Sequence, residues 1–147
     1  MPVASARAAM SSRLGPDPLF DPKNCIDGDD QTICATGSEV NAWIEVELAS
    51  PVGAAIVAVA ITNHFLEEWQ GTLSPFELWV GSSLRDTGAI SASRCGDTSP
   101  IEVPTSGVGP FIIPCHSAVG RFVTLITAGS DQPRLLTVAE IQAYEAG

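Results

Sequence analysis

Positive charge is scarce in this sequence. Seven lysines and arginines stand against seventeen aspartates and glutamates, a formal net charge of −10. That balance opposes binding to nucleic acid, or to anionic lipid, through bulk electrostatics. It is compatible with a neutral sugar, a basic partner or a cation. Long apolar runs are also missing: the longest, about ten residues from Val52, is too short to cross a bilayer as a helix. Met1-Pro2-Val3 has neither the basic start nor the apolar stretch of a signal peptide. The opening methionine is read as the start of a piece cut from a longer protein. Histidine is limited to His64 and His116 and no C-x-x-C occurs, which argues against a structural zinc site. G-x-S-x-G, H-E-x-x-H, a P-loop and G-x-G-x-x-G before a helix are all absent, so the chain is expected not to be an enzyme. His64 with Ser74 and an aspartate would make a triad only through geometry that sequence does not give.

No helical stripe of useful length, internal repeat or low-complexity segment is found either. What is present is β-structure. A hydrophobic content of 45% excludes disorder, and 147 residues make one domain, 1–147, large enough to bury a core. Trp43–Leu48 alternates, with Ile44, Val46 and Leu48 on one face and Glu45 and Glu47 on the other, the period of a half-buried strand. Ala54–Thr62 is apolar on both faces, as a strand covered on both sides would be. Phe76–Gly81 and Arg121–Ile126 alternate again. Ala4–Ala9 reads as a short edge strand, Ala89–Arg94 as a weak strand and Phe111–Ile113 as a short apolar run. Pro104 and Gly107 make Ile101–Val108 loop or edge, and Leu135–Tyr144 is the closing strand after the turn at Asp131-Gln132-Pro133. Several strands at short spacing with Gly/Pro turns mean a sandwich or barrel.

The loops carry the chemistry. Asn63–Ser74 is too long for a tight hairpin and displays Phe65, Leu66 and Trp69, which must either tuck under or touch something. Pro16, Pro18 and Pro22 keep the segment around Leu19 and Phe20 out of a helix. Asn24-Cys25-Ile26-Asp27-Gly28-Asp29-Asp30 gathers three carboxylates around a glycine. It reads either as an acidic turn with Gly28 at positive φ or as part of a site for a hard, oxygen-loving cation, although its spacing is not that of an EF-hand. Cys25, Cys34, Cys95 and Cys115 allow three full pairings. The local pairings Cys25–Cys34 and Cys95–Cys115 would each contribute about 2–3 kcal/mol by loop closure and imply an oxidising compartment; four reduced thiols in the cytosol is the alternative.

Six stretches in order carry a resemblance: Asn24-Cys-Ile-Asp27-Gly28-Asp29; Trp43–Leu48; Val59-Ala-Ile-Thr-Asn63; Phe76–Ser82; Cys115 before Gly120-Arg121-Phe122-Val123; and Leu136-Thr-Val-Ala-Glu140-Ile-Gln-Ala-Tyr144. Together they resemble the discoidin domain, or coagulation factor 5/8 type C domain, near its F-type lectin (fucolectin) branch, from about Val3 to Tyr144. The resemblance implies an all-β fold, an eight-stranded antiparallel β-sandwich of jelly-roll type. It also implies a non-catalytic module that binds sugars, lipid head groups or proteins through loops at one end. From the calcium-binding relatives it implies a structural Ca²⁺, held by the carbonyls of Asn24, Asp29 and Ala139 and the side chains of Asp27 and Glu140. The alternative is an empty turn with Glu140 paired to Arg121. Cys95 and Cys115 match a disulfide of the lectin branch, whereas Cys25 and Cys34 match no pair there.

The arginines that clamp fucose in that branch are missing. His64 stands at the first of the two positions, as a possible substitute donor, and Thr72 near the second. Ligand contact is expected from His64, Glu67, Glu68, Trp69 and Gln70, with Phe20 and Asp21 from the neighbouring loop: Trp69 to stack on a sugar, the polar groups to take hydroxyls. The partner is expected to be a glycan or an extracellular protein, at the cell surface or outside the cell. Nucleic acid is excluded, and Glu67 and Glu68 oppose anionic membrane lipid.

Overall fold

The computed structural model describes residues 1–16, 18–85, 87, 92–104, 106–129 and 131–146. Among these, eleven strands form: β1 (Pro2–Val3), β2 (Ser5–Met10), β3 (Cys34–Ala35), β4 (Trp43–Leu48), β5 (Ala54–Thr62), β6 (Phe76–Gly81), β7 (Ala92–Arg94), β8 (Phe111–Gly120), β9 (Phe122–Thr127), β10 (Thr137–Val138) and β11 (Glu140–Glu145). All but the two-residue β3 and β10 make the body of an antiparallel β-sandwich, with the short β1 at one edge. One sheet has the order β1-β11-β5-β8, the other β2-β4-β9-β6-β7, and β10-β3 is a small separate ladder. The inner faces share one core. Ile56, Val59, Ile61, Ile113 and Ile141 come from the first sheet, and Ile44, Val46, Leu48, Leu78, Val80 and Leu125 from the second. Burying such side chains contributes roughly 1.5–3 kcal/mol each.

The alternation in β4 is realised on its core face, but the opposite face is not solvated. Glu45 is only 2% exposed and Glu47 8%. Glu47 pairs with Arg7 (2.9 Å) and Arg121 (2.6 Å), and Glu45 accepts hydrogen bonds from Thr124 Oγ1 (3.1 Å) and from the Arg85 backbone N–H. A buried carboxylate needs such partners. Arg121 is thereby committed to Glu47 and does not pair with Glu140. The two-sided cover expected for β5 is also incomplete: Ile56, Val59 and Ile61 are fully buried, while Ala55 is exposed and Val57 and Ala58 half-buried.

Phe111–Ile113 is only the start of the ten-residue β8. This strand pairs along β5 through a register shift at Ile56/Ala58, and the positive φ of His116 and Ser117 accommodates the irregularity. The expected closing strand is broken at Ala139, whose N–H donates to Thr62 O (2.8 Å). Ile101 forms a bridge to Phe76. Of the expected strand Ala89–Arg94, residues 92–94 are observed and 89–91 lie outside the described residues.

Both local disulfides form, Cys25–Cys34 and Cys95–Cys115. The chain ends meet at one pole: the Met1 ammonium donates to Glu145 O (3.0 Å) and Glu145 N–H to Met1 O (2.9 Å). The long loops gather at the other pole, where β2 and β5 end and β6 and β11 begin.

Candidate ligand groove and cation loop

The loop after β5 is braced from within. Asn63 Oδ1 accepts from His64 N–H (2.7 Å) while its Nδ2 donates to Gln70 O (2.9 Å). A short 3₁₀ turn, Glu67–Thr72, follows. Gln70 is 4% exposed; it donates to His64 O (3.0 Å) and accepts from Gly107 N–H (2.7 Å). Its amide is therefore committed to holding the loop, which corrects its expected role as a ligand contact. Thr72 is likewise turned inward: its hydroxyl donates to Trp69 O (2.7 Å) and meets Thr137 Oγ1. Arg134 closes the loop's far end. Its guanidinium donates to the carbonyls of Thr72 (2.8 Å), Leu73 (3.5 Å) and Pro75, and burial lowers its pKa.

This frame fixes His64. The imidazole is buried, and Nδ1 accepts from Leu66 N–H (2.9 Å). Burial lowers its pKa from the ordinary 6.5, with Glu68 acting in the opposite direction. The ring is therefore neutral near pH 7, with its proton on Nε2 as the available donor. Phe65 and Trp69 lie 4.8 and 6.4 Å from it, centroid to centroid.

Two hollows adjoin at His64. One, about 150 Å³, is lined by Leu14, Phe20, Ile33, His64, Trp69 and Thr137. The other, about 220 Å³, takes Leu19, Phe65 and Leu66 from one side and Asn24, Gln31 and Thr32 from the other, and shares Phe20, Ile33 and His64 with the first. Leu14, Leu19, Phe65, Leu66 and Trp69, all large and exposed, border this groove. The groove thus unites His64, Trp69 and Phe20 as expected. Glu67 and Glu68 stand exposed on the adjacent turn.

Asp21 is not with them. It pairs with Arg13 and lines a separate depression of about 280 Å³ beside Ala6, Arg7, Ala8, Pro22, Lys23 and Ile26. That hollow is the larger, but two of its charged groups, Arg7 and Asp21, are already paired. Leu14, Gln31, Thr32, Ile33 and Thr137 are groove residues that the sequence did not single out. For Leu14 and Ile33 a signal existed, an apolar side chain in a polar loop. His116 is exposed and faces Asp97 (3.3 Å).

The acidic loop forms one bank of the groove. Cys25–Cys34 staples it shut, and Asn24 Nδ2 braces it by donating to the carbonyls of Pro18 (3.2 Å), Leu19 (3.0 Å) and Ile33 (3.0 Å). Gly28 has φ +77°, as the turn requires. Asp27 Oδ2, Asp29 O and Asn24 O lie 2.6, 3.0 and 3.4 Å from Thr32 Oγ1. One hydroxyl proton cannot serve three acceptors. Across from them Glu140 Oε1 accepts from Gly28 N–H (3.1 Å). Burial raises its pKa from 4.5 to about 7; the Gly28 N–H opposes the rise, and the adjacent Asp27 carboxyl adds to it. Surplus oxygens and two crowded carboxyls fit a hard cation. Among the described residues no group of three His, Cys, Asp or Glu side chains makes a metal cluster, so carbonyl and hydroxyl oxygens would have to complete the set.

A two-sheet antiparallel sandwich with a groove among the loops at one pole defines the class. Comparison with solved structures places the fold among the discoidin-like domains. The chain is similar to a fucolectin from striped bass (Morone saxatilis) serum: 21% identity, TM-score 0.74, 98% of this chain and 46% of that one. It is also similar to a Streptococcus pneumoniae fucose-binding module: 18% identity, TM-score 0.74, 100% and 99%. A third is a CBM32 domain of Clostridium perfringens in complex with GalNAc-β-1,3-galactose: 17% identity, TM-score 0.73, 98% and 99%. The chain thus spans less than half of the striped bass lectin and nearly all of the two bacterial modules. No protein-family model matches the sequence, and no curated protein matches it.

Proposed function

We propose that this chain is a non-catalytic carbohydrate-recognition module that works outside the cell as part of a longer protein and binds through the groove at His64. The carrying observation is His64, held through Nδ1 by Leu66 N–H and lining both hollows among aromatic and aliphatic side chains, which leaves Nε2–H as a donor for a ligand. Sugar sites use this combination: Trp69 and Phe20 offer faces for C–H-rich sugar surfaces, and the imidazole orients a hydroxyl or ring oxygen. The names of the similar structures, a fucolectin, a fucose-binding module and a CBM32 domain holding a disaccharide, support the reading. The missing arginines separate this groove from the fucose clamp of the F-type lectins.

Asn24, Asp27, Asp29, Ala139 and Glu140, with Thr32, would hold a structural calcium ion. Bound there, the ion would neutralise crowded carboxylates and stiffen the bank that Asn24, Gln31 and Thr32 present to the ligand. Two disulfides agree with an oxidising compartment. A glycan array read in millimolar calcium and again in chelator tests both parts. The expected result is a defined glycan set, weakened in chelator; a blank array in calcium refutes the reading. A protein-interaction or adhesion module is the second reading, favoured by the exposed apolar border of Leu19, Phe65 and Leu66. Docking to membrane lipid ranks below both, because Glu67 and Glu68 sit in that border.

A further inference from the structure

We infer that the groove selects uncharged glycans of at least two residues, with Phe20 and Ile33 as the ridge between two sugar rings and His64 as the donor reaching both. This rests on the carbohydrate reading above and narrows it to a ligand class. The two hollows are distinct in volume and lining, yet they share Phe20, Ile33 and His64. A ligand confined to one hollow leaves half of the apolar wall wet, whereas a linked pair of rings covers both and gains the second site without a second loss of translational freedom.

Charge argues for neutrality. Among the described residues no lysine or arginine lines either hollow. The cations of the neighbouring loops are engaged or turned elsewhere: Arg13 pairs with Asp21, Arg134 donates to the carbonyls that close the loop, and Lys23 faces the depression beside β2. Carboxylates stand on both banks. Glu68 acts electrostatically on His64, with Glu67 beside it on the same turn. Asp29 and Asp30 flank Gln31, through Asp29 Oδ1 accepting from Gln31 N–H and Asp30 Oδ1 from Gln31 Nε2. A divalent ion on Asp27 and Glu140 would cancel those two charges and leave these four. A sialic acid, uronic acid or sulfate would enter this field without the arginine or lysine that such groups need. His64 adds nothing for an anion beyond one neutral N–H.

An array of neutral mono-, di- and oligosaccharides beside their sialylated, uronic and sulfated counterparts tests this on the whole chain in calcium. Neutral disaccharides should exceed their component monosaccharides by at least about tenfold, and anionic counterparts should be weaker by at least about tenfold. Phe20→Ala should bring disaccharides to within about threefold of monosaccharides. Glu68→Lys, a change at an exposed position that spares the fold, should raise binding of anionic glycans by about two- to fivefold. Preference for anionic glycans, or monosaccharides that bind as well as disaccharides, overturns this inference and leaves the carbohydrate reading standing. An array blank for every glycan overturns both.

Discussion

Arg134→Ala isolates the brace that holds the loop carrying His64. The guanidinium donates to Thr72 O at 2.8 Å, to Pro75 O, and more weakly to Leu73 O at 3.5 Å. Hydrogen bonds from a charged donor are worth about 1.5–3 kcal/mol each. Arg134 is only half-buried, so water recovers part of each bond, and the net loss should be about 2–3 kcal/mol. For a domain of this size that lowers Tm by about 4–12 °C. Arg134→Lys keeps the charge but offers one ammonium in place of a planar fork, so it should restore no more than about half of the loss. Differential scanning calorimetry reads the first effect. Protection of the loop amides from hydrogen exchange reads the second: Leu66 and Trp69 N–H, which donate to His64 Nδ1 and Leu66 O, should exchange faster in the alanine variant, while the β4–β9 ladder stays protected. An alanine variant that melts within 1 °C of wild type, with unchanged loop exchange, would mean that the guanidinium contacts carry no load.

Millimolar calcium should raise Tm by about 5–11 °C, the equivalent of ~2.7 kcal/mol at a hundredfold excess over Kd, and Glu140→Gln or Asp27→Asn should remove most of the rise; identical melts in calcium and chelator refute the site. His64 should make stability pH-dependent. Its folded pKa lies below the ordinary 6.5, so its contribution is present above pH 6.5 and is lost as pH falls through that value, where the unfolded chain binds the proton first. The difference in urea midpoint between wild type and His64→Phe should therefore shrink from pH 7.5 to 5.5, and a constant difference would contradict the assignment. Replacing Cys25 and Cys34 by serine together should cost about 2–3 kcal/mol, because the bridge closes a short loop. Calcium affinity should fall with it, as isothermal titration would show, and an unaltered affinity would mean that the staple does not shape the acidic loop.

The core side of the sandwich could be read in advance because it obeys period two. Ile44, Val46 and Leu48 needed only their own spacing to be placed. Glu45 and Glu47 share that spacing and fall on the opposite face, but what buries them arrives from far away in sequence: Arg7, Arg85, Arg121 and Thr124. The apolar run Phe111–Ile113 shows only the start of β8, because Pro114 and the positive-φ pair His116-Ser117 interrupt its pattern and the register shift that tolerates them belongs to the pairing with β5. In the site, His64, Phe20 and Trp69 announced themselves as aromatic or titratable groups in a long loop. Gln70 and Thr72 have the same polar appearance and turn inward, a choice made by Gly107, Thr137 and Arg134. Asp21 looked like a neighbour of Phe20 and is one, yet successive side chains in an irregular segment face different ways, and Arg13 holds it on the other side.

The meeting of Met1 with Glu145 bears on how the domain can be mounted. β11 starts at Glu140, beside the acidic loop, and runs about 20 Å to the pole where both ends of the described chain emerge. A segment joined to either end would depart from the pole opposite the groove. Copies strung in tandem, or one copy set into a surface loop of a host domain, would all hold their grooves outward. Under the proposed carbohydrate reading, copies on repeated tethers facing a glycan-dense surface would make their second and later contacts intramolecular, and tether length and glycan density would then govern retention.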